Sequence, residues 1–185
     1  MSLEQGRYYS YEEWLNFDDD MRTELYNGQI FMMASPSDEH QAASVEISRQ
    51  LANFLIDKTC RVFTAFDVRL YKDEDTALQP DIIVVCDRNK ITRRCCEGAP
   101  DLVIEILSPS TRARDFLIKY KEYQRAGVKE YWIVDTEIKK VFVNILTDKV
   151  YELIEYDEAD NIPVHVLPDC EIYLPFVFRE QRDVL

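Results

Sequence analysis

No apolar run in the sequence approaches the roughly 20 residues that a membrane-spanning helix needs. The first residues, MSLEQGRYYSYEEW, also lack the basic start and the apolar segment of a secretory signal peptide. These absences argue against the membrane and secreted classes of protein, and we expect a cytoplasmic protein.

Cysteine pairs with a zinc-binding spacing are also missing. No Cys-x-x-Cys motif occurs among the five cysteines, so a zinc site is not expected; they are Cys60, Cys86, Cys95, Cys96 and Cys170. In a cytoplasmic protein we expect these thiols to be reduced. We expect the adjacent Cys95 and Cys96 to lie in a loop.

Positive charge is scarce. The chain has 22 Lys and Arg against 35 Asp and Glu, a net charge of −13. This balance argues against broad nucleic-acid binding, which depends on the neutralisation of phosphates. Several basic residues nevertheless cluster in the middle of the chain: Lys90, Arg93, Arg94, Arg112, Arg114, Lys119 and Lys121. They form either a local basic patch on an acidic body or ordinary solvated charges.

The composition is that of one globular domain, residues 1–185, of which 46% are apolar. The sequence contains no internal repeat, low-complexity segment or linker. Near the end of the chain, the apolar stretch Ile172–Phe178 predicts an exposed patch, and we expect a homodimer.

The most informative stretch predicts a strand, a helix and a second strand. Leu102–Leu107 is an apolar run of strand length, and Ser108-Pro109-Ser110-Thr111 supplies a turn and a helix cap. The predicted helix ends before Gly127, which suits a left-handed C-cap, and Glu130–Asp135 is the second apolar strand. This βαβ order predicts two parallel strands in one sheet.

Two acids interrupt or open apolar strands. Glu105 lies inside the first strand of the βαβ unit, and Asp81 opens the apolar run Asp81–Val85. A carboxylate in such a position needs a cation, a metal ion or a proton as its partner. Two acids on neighbouring strands would supply the oxygen ligands of a divalent-metal site. The alternative is a solvated strand end or a structural ion pair with an arginine.

The helix after Glu105 can bring a lysine to these acids. Phe116, Tyr120 and Tyr123 fall on one helical stripe, which we expect to face the sheet. Lys119 borders this stripe, and Arg112 falls on the same side. Lys119 either reaches the acids or is a surface lysine whose aliphatic stem packs on apolar neighbours.

Two earlier segments carry further candidate residues. Asn27-Gly28 is a strong hairpin signal and predicts that Glu24 lies on the first strand of a hairpin. A helix that opens at Ser35-Pro36-Ser37 and runs to about Lys58 carries His40 near its N-terminus, where anions are favoured. An exposed Glu24 and a His40 that only caps or packs are the alternatives.

Four other elements are predicted from local signals. They are a short helix after the capping box Ser10–Glu13, a strand over Arg61–Leu70, a mobile loop over Asp87–Ala99, and a hairpin of Lys140–Leu146 with Val150–Tyr156.

Together these residues resemble the PD-(D/E)xK restriction-endonuclease-like superfamily. More closely, they resemble the "putative restriction endonuclease" family of unknown function that is abundant in cyanobacteria. The matching segments are Glu24–Gly28, His40-Gln41, Gln79–Asp81, Pro100–Thr111, Asp115 with Lys119, and Ala126–Asp135. The superfamily's lysine usually lies two residues after the second acid, a position that Leu107 occupies here. The resemblance implies that Lys119 takes this role from the helix.

The resemblance implies an α/β (α+β) fold, a restriction-endonuclease-like mixed β-sheet flanked by helices with added β-hairpins. It also implies a nuclease that uses Mg²⁺ or Mn²⁺ and acts on DNA. The implied catalytic residues are Asp81, Glu105, Lys119 and Glu24, the metal ligands are Asp81, Glu105 and Glu24, and the substrate-binding residues are His40 and Arg112.

Two other functions remain open at this point. A catalytically inactive module of the same fold could bind protein or nucleic acid, because fold does not determine function. A hydrolase of smaller phosphoesters would tolerate the acidic surface better than an enzyme that acts on a polymer.

Overall fold

The computed structural model describes residues 6–17, 22–108 and 112–179, and for residues 112–116 it describes the backbone only. Within these residues the α-helices are α1 Tyr11–Leu15, α2 Asp38–Phe54, α3 Arg112–Ala126 and α4 Leu174–Val177. The strands are β1 Thr23–Tyr26, β2 Gln29–Met32, β3 Arg61–Thr64, β4 Asp67–Arg69, β5 Ile82–Val85, β6 Cys95–Glu97, β7 Leu102–Ile106, β8 Glu130–Asp135, β9 Lys140–Thr147, β10 Val150–Asp157, β11 Asn161–Pro163 and β12 Glu171–Tyr173.

A six-stranded mixed sheet forms the centre of the protein, with strand order β10-β9-β8-β7-β5-β3. The β7 and β8 strands are parallel and α3 connects them, whereas the other neighbours are antiparallel. The predicted βαβ unit and the predicted α+β class are therefore confirmed. The predicted hairpins are also confirmed, as β1–β2 and β9–β10.

The two faces of the sheet carry separate apolar cores. On one face α2 and α4 pack with β12 over a cluster that includes Ile104 and Trp132. On the other face α3 packs through Tyr123 over Val103, Tyr131 and Ile133. Alternate residues of β7 and β8 therefore point to opposite cores, which explains why both strands read as continuous apolar runs.

Local sequence signals explain several element ends. Ser10 and Glu13 form the predicted capping box at α1. The side chain of Ser37 caps α2 by accepting a hydrogen bond from the N–H of His40. The predicted cap of α3 at Ser110-Thr111 lies outside the described residues.

The single strand predicted over Arg61–Leu70 is wrong. Ala65 has a φ of +47°, and the chain continues as two strands in different sheets. The β3 strand joins the central sheet, whereas β4 pairs in parallel with β6. The apolar alternation continues across the break, so the pattern alone did not reveal it. Helix α2 also ends at Phe54, before the predicted Lys58.

The cysteines differ from the prediction in two ways. Cys60 and Cys86 form a disulfide, because the antiparallel register of β3 and β5 sets these two positions opposite each other. Cys95 and Cys96 are buried in β6 rather than placed in a loop. The segment Asp87–Ala99 also contains a short 3-10 helix, Arg88–Lys90, so regular structure occupies part of the predicted loop.

The apolar stretch near the end of the chain is divided between the core and the surface. Ile172, Leu174 and Val177 are buried in the core beside α2. Tyr173 and Phe176 are the exposed members, and Phe176 is 51% exposed. The homodimer stays a prediction. In the described residues, no helix has the length and apolar character needed to cross a membrane.

The hairpin that presents Glu24 depends on its turn, and this gives a test of the fold. Gly28 has a φ of +71°, and a Cβ there would overlap the ring of Tyr8. Gly127 has a φ of +85° but open space around it. An alanine at either position is strained by about 1–2 kcal/mol.

We expect Gly28→Ala to lower the free energy of unfolding by at least about 1 kcal/mol more than Gly127→Ala does, because Tyr8 must also move away from Asp75, with which it is hydrogen-bonded. Urea unfolding of both variants measures the difference. Equal losses would contradict the overlap with Tyr8.

Candidate functional site

Strand register brings the two predicted acids together. Strand β5 runs antiparallel to β7, with Ile82 opposite Ile104. Continued by one position, this register sets Asp81 opposite Glu105. The start of β5 thus meets the end of β7, and residues far apart in sequence share one end of the sheet.

A small cleft of about 80 Å³ opens at this end of the sheet. Its charged or ionisable lining residues include Arg22, Glu24, His40, Asp81, Glu105 and Lys119. Apolar side chains of Phe31, Met32, Met33, Ile106 and Leu107 form much of the remaining wall. The cleft therefore brings together all the predicted site residues whose side chains the structure describes.

Lys119 reaches the acids from α3. Its Nζ lies 2.8 Å from Oε1 of Glu24 and 3.1 Å from Oε1 of Glu105. The residue is 6% exposed, because the face of α3 that carries Tyr123 one turn later packs on the sheet. Lys121, by contrast, is exposed. Lys119 is thus a buried ion-pair partner rather than a surface lysine.

Glu105 is a buried carboxyl group with two close partners. Its Oε1 accepts a hydrogen bond of 2.8 Å from the hydroxyl of Tyr123, besides the contact with Lys119. Burial raises the pKa of Glu105 to about 8; Lys119 opposes the rise, whereas the charges of Asp81 and Glu24 add to it. Burial also raises the pKa of Tyr123, so its hydroxyl remains a donor to Glu105.

Glu24 is held by the chain segment that leads into β5. The backbone N–H of Gln79 donates a 2.9 Å hydrogen bond to Oε1 of Glu24. One residue along β1, Leu25 exchanges backbone hydrogen bonds with Ala77. These contacts attach the β1–β2 hairpin to the segment just before Asp81, and they direct the Glu24 carboxylate to Lys119.

Asp81 is held from two directions. Its Oδ2 accepts a 2.8 Å hydrogen bond from the backbone N–H of Ile106 and lies 3.2 Å from Nε2 of His40. The structure therefore places His40 against an acid of the cleft. The side chain of Arg112 lies outside the described atoms, so its predicted contact with substrate stays a prediction.

Three contributors to this site were not predicted from the sequence. Tyr123 was expected only in the stripe that packs on the sheet, although its spacing of four residues from Lys119 placed both on one helical face. The backbone N–H groups of Gln79 and Ile106 leave no sequence signal, because any residue except proline supplies such a donor.

The donor set fits a sparsely coordinated cation. In the described ranges, no three His, Cys, Asp or Glu side chains are grouped closely enough to hold a metal ion by themselves. Magnesium usually binds one or two carboxylates and completes its shell with water and substrate oxygens. The described hydrogen bonds of Asp81 end on Oδ2 and those of Glu105 on Oε1, so each has a second oxygen for such a cation.

The raised pKa of Glu105 predicts how stability changes with pH when a chelator removes divalent ions. Between the ordinary value of 4.5 and the folded value of about 8, the folded protein keeps a proton that the unfolded chain releases. The stabilisation is therefore complete below pH 4.5 and is lost as the pH rises through about 8. Urea unfolding of the wild type and Glu105→Gln across this window measures it.

We expect the free energy of unfolding of the wild type to fall with pH relative to that of Glu105→Gln, since groups common to both proteins cancel in the difference. A difference that stays constant across the window would mean that Glu105 titrates near its ordinary value.

Comparison with known proteins finds a matching family and two relatives of similar sequence. The Uma2 family, described as "Putative restriction endonuclease", matches residues 8–175. The uncharacterized protein slr1290 of Synechocystis sp. is 27% identical over 156 residues, which cover 82% of each chain. The uncharacterized protein sll1609 of the same organism is 26% identical over 118 residues, which cover 62% of this chain and 66% of that protein.

A solved structure shares the fold. The crystal structure of a "putative nuclease belonging to DUF820" from Anabaena variabilis superposes with a TM-score of 0.76, covering 91% of this chain and 97% of that chain at 21% identity. At this identity the likeness shows the nuclease-like fold alone. Since the family match spans almost the whole chain, the protein belongs to the Uma2 family.

Proposed function

We propose that the protein is a divalent-metal-dependent nuclease that hydrolyses phosphodiester bonds in DNA. The observation that carries this proposal is the meeting of Asp81 and Glu105 in one cleft with the ammonium group of Lys119. The description of the Uma2 family and the name given to the structural neighbour support the same class of reaction.

The two acids are the proposed ligands of Mg²⁺ or Mn²⁺, and Glu24 contributes directly or through water. A divalent ion held there would make a bound water more acidic and would offset negative charge on the phosphate. Asp81 is suited to this role because Ile106 and His40 fix Oδ2 and thereby orient the carboxylate. Glu105 is suited because its rigid strand and Tyr123 fix its position.

Lys119 is proposed to orient the attacking water or to stabilise the charge that develops on the phosphate. An ammonium group held in advance, in a site with little water, stabilises such charge strongly. The ion pair with Glu24 and the 3.1 Å contact with Glu105 hold Lys119 at the wall of the cleft. Glu24 thereby has a second role, which is to direct the lysine.

The test of this function uses purified protein with Mg²⁺ or Mn²⁺ on plasmid, oligonucleotide and mononucleotide substrates. We expect Asp81→Asn, Glu105→Gln and Lys119→Met each to lower the rate by about 100-fold or more. Lys121→Met is the matched control, since this exposed lysine lies on the same helix two residues away. It should retain the wild-type rate.

Equal cleavage by the wild type and all variants would attribute the activity to a contaminant and remove the proposal. Hydrolysis of mononucleotides without cleavage of polymers would replace it with a smaller phosphoester as the substrate. Urea unfolding of each variant checks that a lost rate does not reflect an unfolded protein.

Metal binding should also release protons. At pH 7 the raised pKa leaves Glu105 largely protonated, and a cation that binds its carboxylate must displace that proton. We expect Mn²⁺ titrations by calorimetry, in buffers of different ionisation enthalpy, to show close to one proton released per ion at pH 7. The release should decline above pH 8 and be absent in Glu105→Gln. Release that is the same in this variant would exclude Glu105 as its source.

A further inference from the structure

His40 has an unusual pair of environments for its two ring nitrogens. Its Nε2 lies 3.2 Å from Oδ2 of Asp81, whereas Nδ1 is buried and has no hydrogen-bond partner among the described residues. The residue is only 8% exposed, so water has little access to the ring. A buried polar atom without a partner is rare and calls for an explanation.

The contact with Asp81 assigns the tautomer. An ionised carboxylate oxygen accepts hydrogen bonds but donates none, so Nε2 must carry a hydrogen to bind Asp81. In the neutral ring Nδ1 is then the nitrogen without a hydrogen. Nδ1 is then a buried acceptor without a donor. The other tautomer would bury an N–H group without an acceptor at the same place.

The position of His40 is fixed from outside the ring. Its backbone N–H donates to the side chain of Ser37, which caps α2. One turn later Ala43 is completely buried against the sheet, and Ile47 continues that face. The packed face of α2 therefore holds the imidazole at the start of β5 in one orientation.

We propose that His40, as the Nε2–H tautomer, is a positioning residue that sets the orientation of the Asp81 carboxylate for a divalent cation. Together with the N–H of Ile106 it binds Oδ2 and so leaves Oδ1 of Asp81 for the ion. This inference rests on the proposed function, since it assigns Asp81 to the ligand set. It gives His40 a role through Asp81 instead of a direct contact with substrate.

Two amide substitutions separate the ring nitrogens. The amide nitrogen of glutamine at position 40 occupies nearly the place of Nε2 and can donate to Asp81. The amide of asparagine is one bond shorter and corresponds to Nδ1, which has no partner to lose. His40→Ala removes both groups, and Lys121→Met is the control variant outside the cleft.

The measurement is Mn²⁺ affinity by calorimetry, with the metal dependence of cleavage beside it. We expect His40→Gln to stay within about threefold of the wild type, and His40→Asn and His40→Ala to bind Mn²⁺ about 10–100-fold more weakly, as partners behind metal ligands do. Saturating metal should restore kcat in His40→Asn, because the defect lies in holding the ion.

Three outcomes would overturn the inference while leaving the proposed function in place. These are wild-type affinity in all His40 variants, an equal loss in His40→Gln and His40→Ala, and a loss of kcat in His40→Asn that excess metal does not restore. Absence of Mn²⁺ binding by the wild type would instead overturn the proposed function, and the positioning role with it.

The tautomer is tested separately in the metal-free protein. Long-range ¹⁵N–¹H NMR spectra at about pH 8.5, well above the ordinary pKa of histidine, distinguish a ring nitrogen that carries hydrogen from one that does not. We expect the hydrogen of His40 on Nε2. A hydrogen on Nδ1 would overturn the assignment whatever the protein does with metal or substrate.

Discussion

The buried contacts of Lys119 with Glu24 and Glu105 join three parts of the protein at one point. The lysine belongs to α3, Glu105 to the central sheet, and Glu24 to a hairpin that forms its own two-stranded sheet. Loss of Lys119 or of Glu24 leaves the charge of the other residue unpaired in the core, at a cost of about 3–5 kcal/mol. The same contacts therefore hold the cleft together and limit which residues can replace Lys119, Glu24 and Glu105.

Most of the fold could be predicted because its local and long-range signals agree. The apolar runs of β7 and β8 and the helix between them leave one topology, which is a parallel pair with a crossover. Asn27-Gly28 likewise defines its hairpin through two residues of positive φ. The errors arose where tertiary contacts decide the outcome. The break at Ala65 and the disulfide between Cys60 and Cys86 both depend on strand partners that no local pattern specifies.

The site was predictable in part for the same reason. Asp81 and Glu105 could be predicted as site residues because a charge in an apolar strand is costly. Lys119 could be predicted from its position on the face of the helix that packs on the sheet. The contact of His40 with Asp81 could not be predicted, because α2 and the start of β5 meet only in the folded chain. Neither could the position of Tyr123 over Glu105, where a core residue also acts as a hydrogen-bond donor.

The origin of the lysine on α3 has a consequence for the strand that carries Glu105. The position two residues beyond Glu105 is occupied by Leu107, whose side chain contributes to the wall of the cleft. Because the helix supplies the ammonium group, this strand position does not need a charged side chain. Apolar side chains of other sizes at this position would change the shape of the cleft wall and leave its charged groups in place.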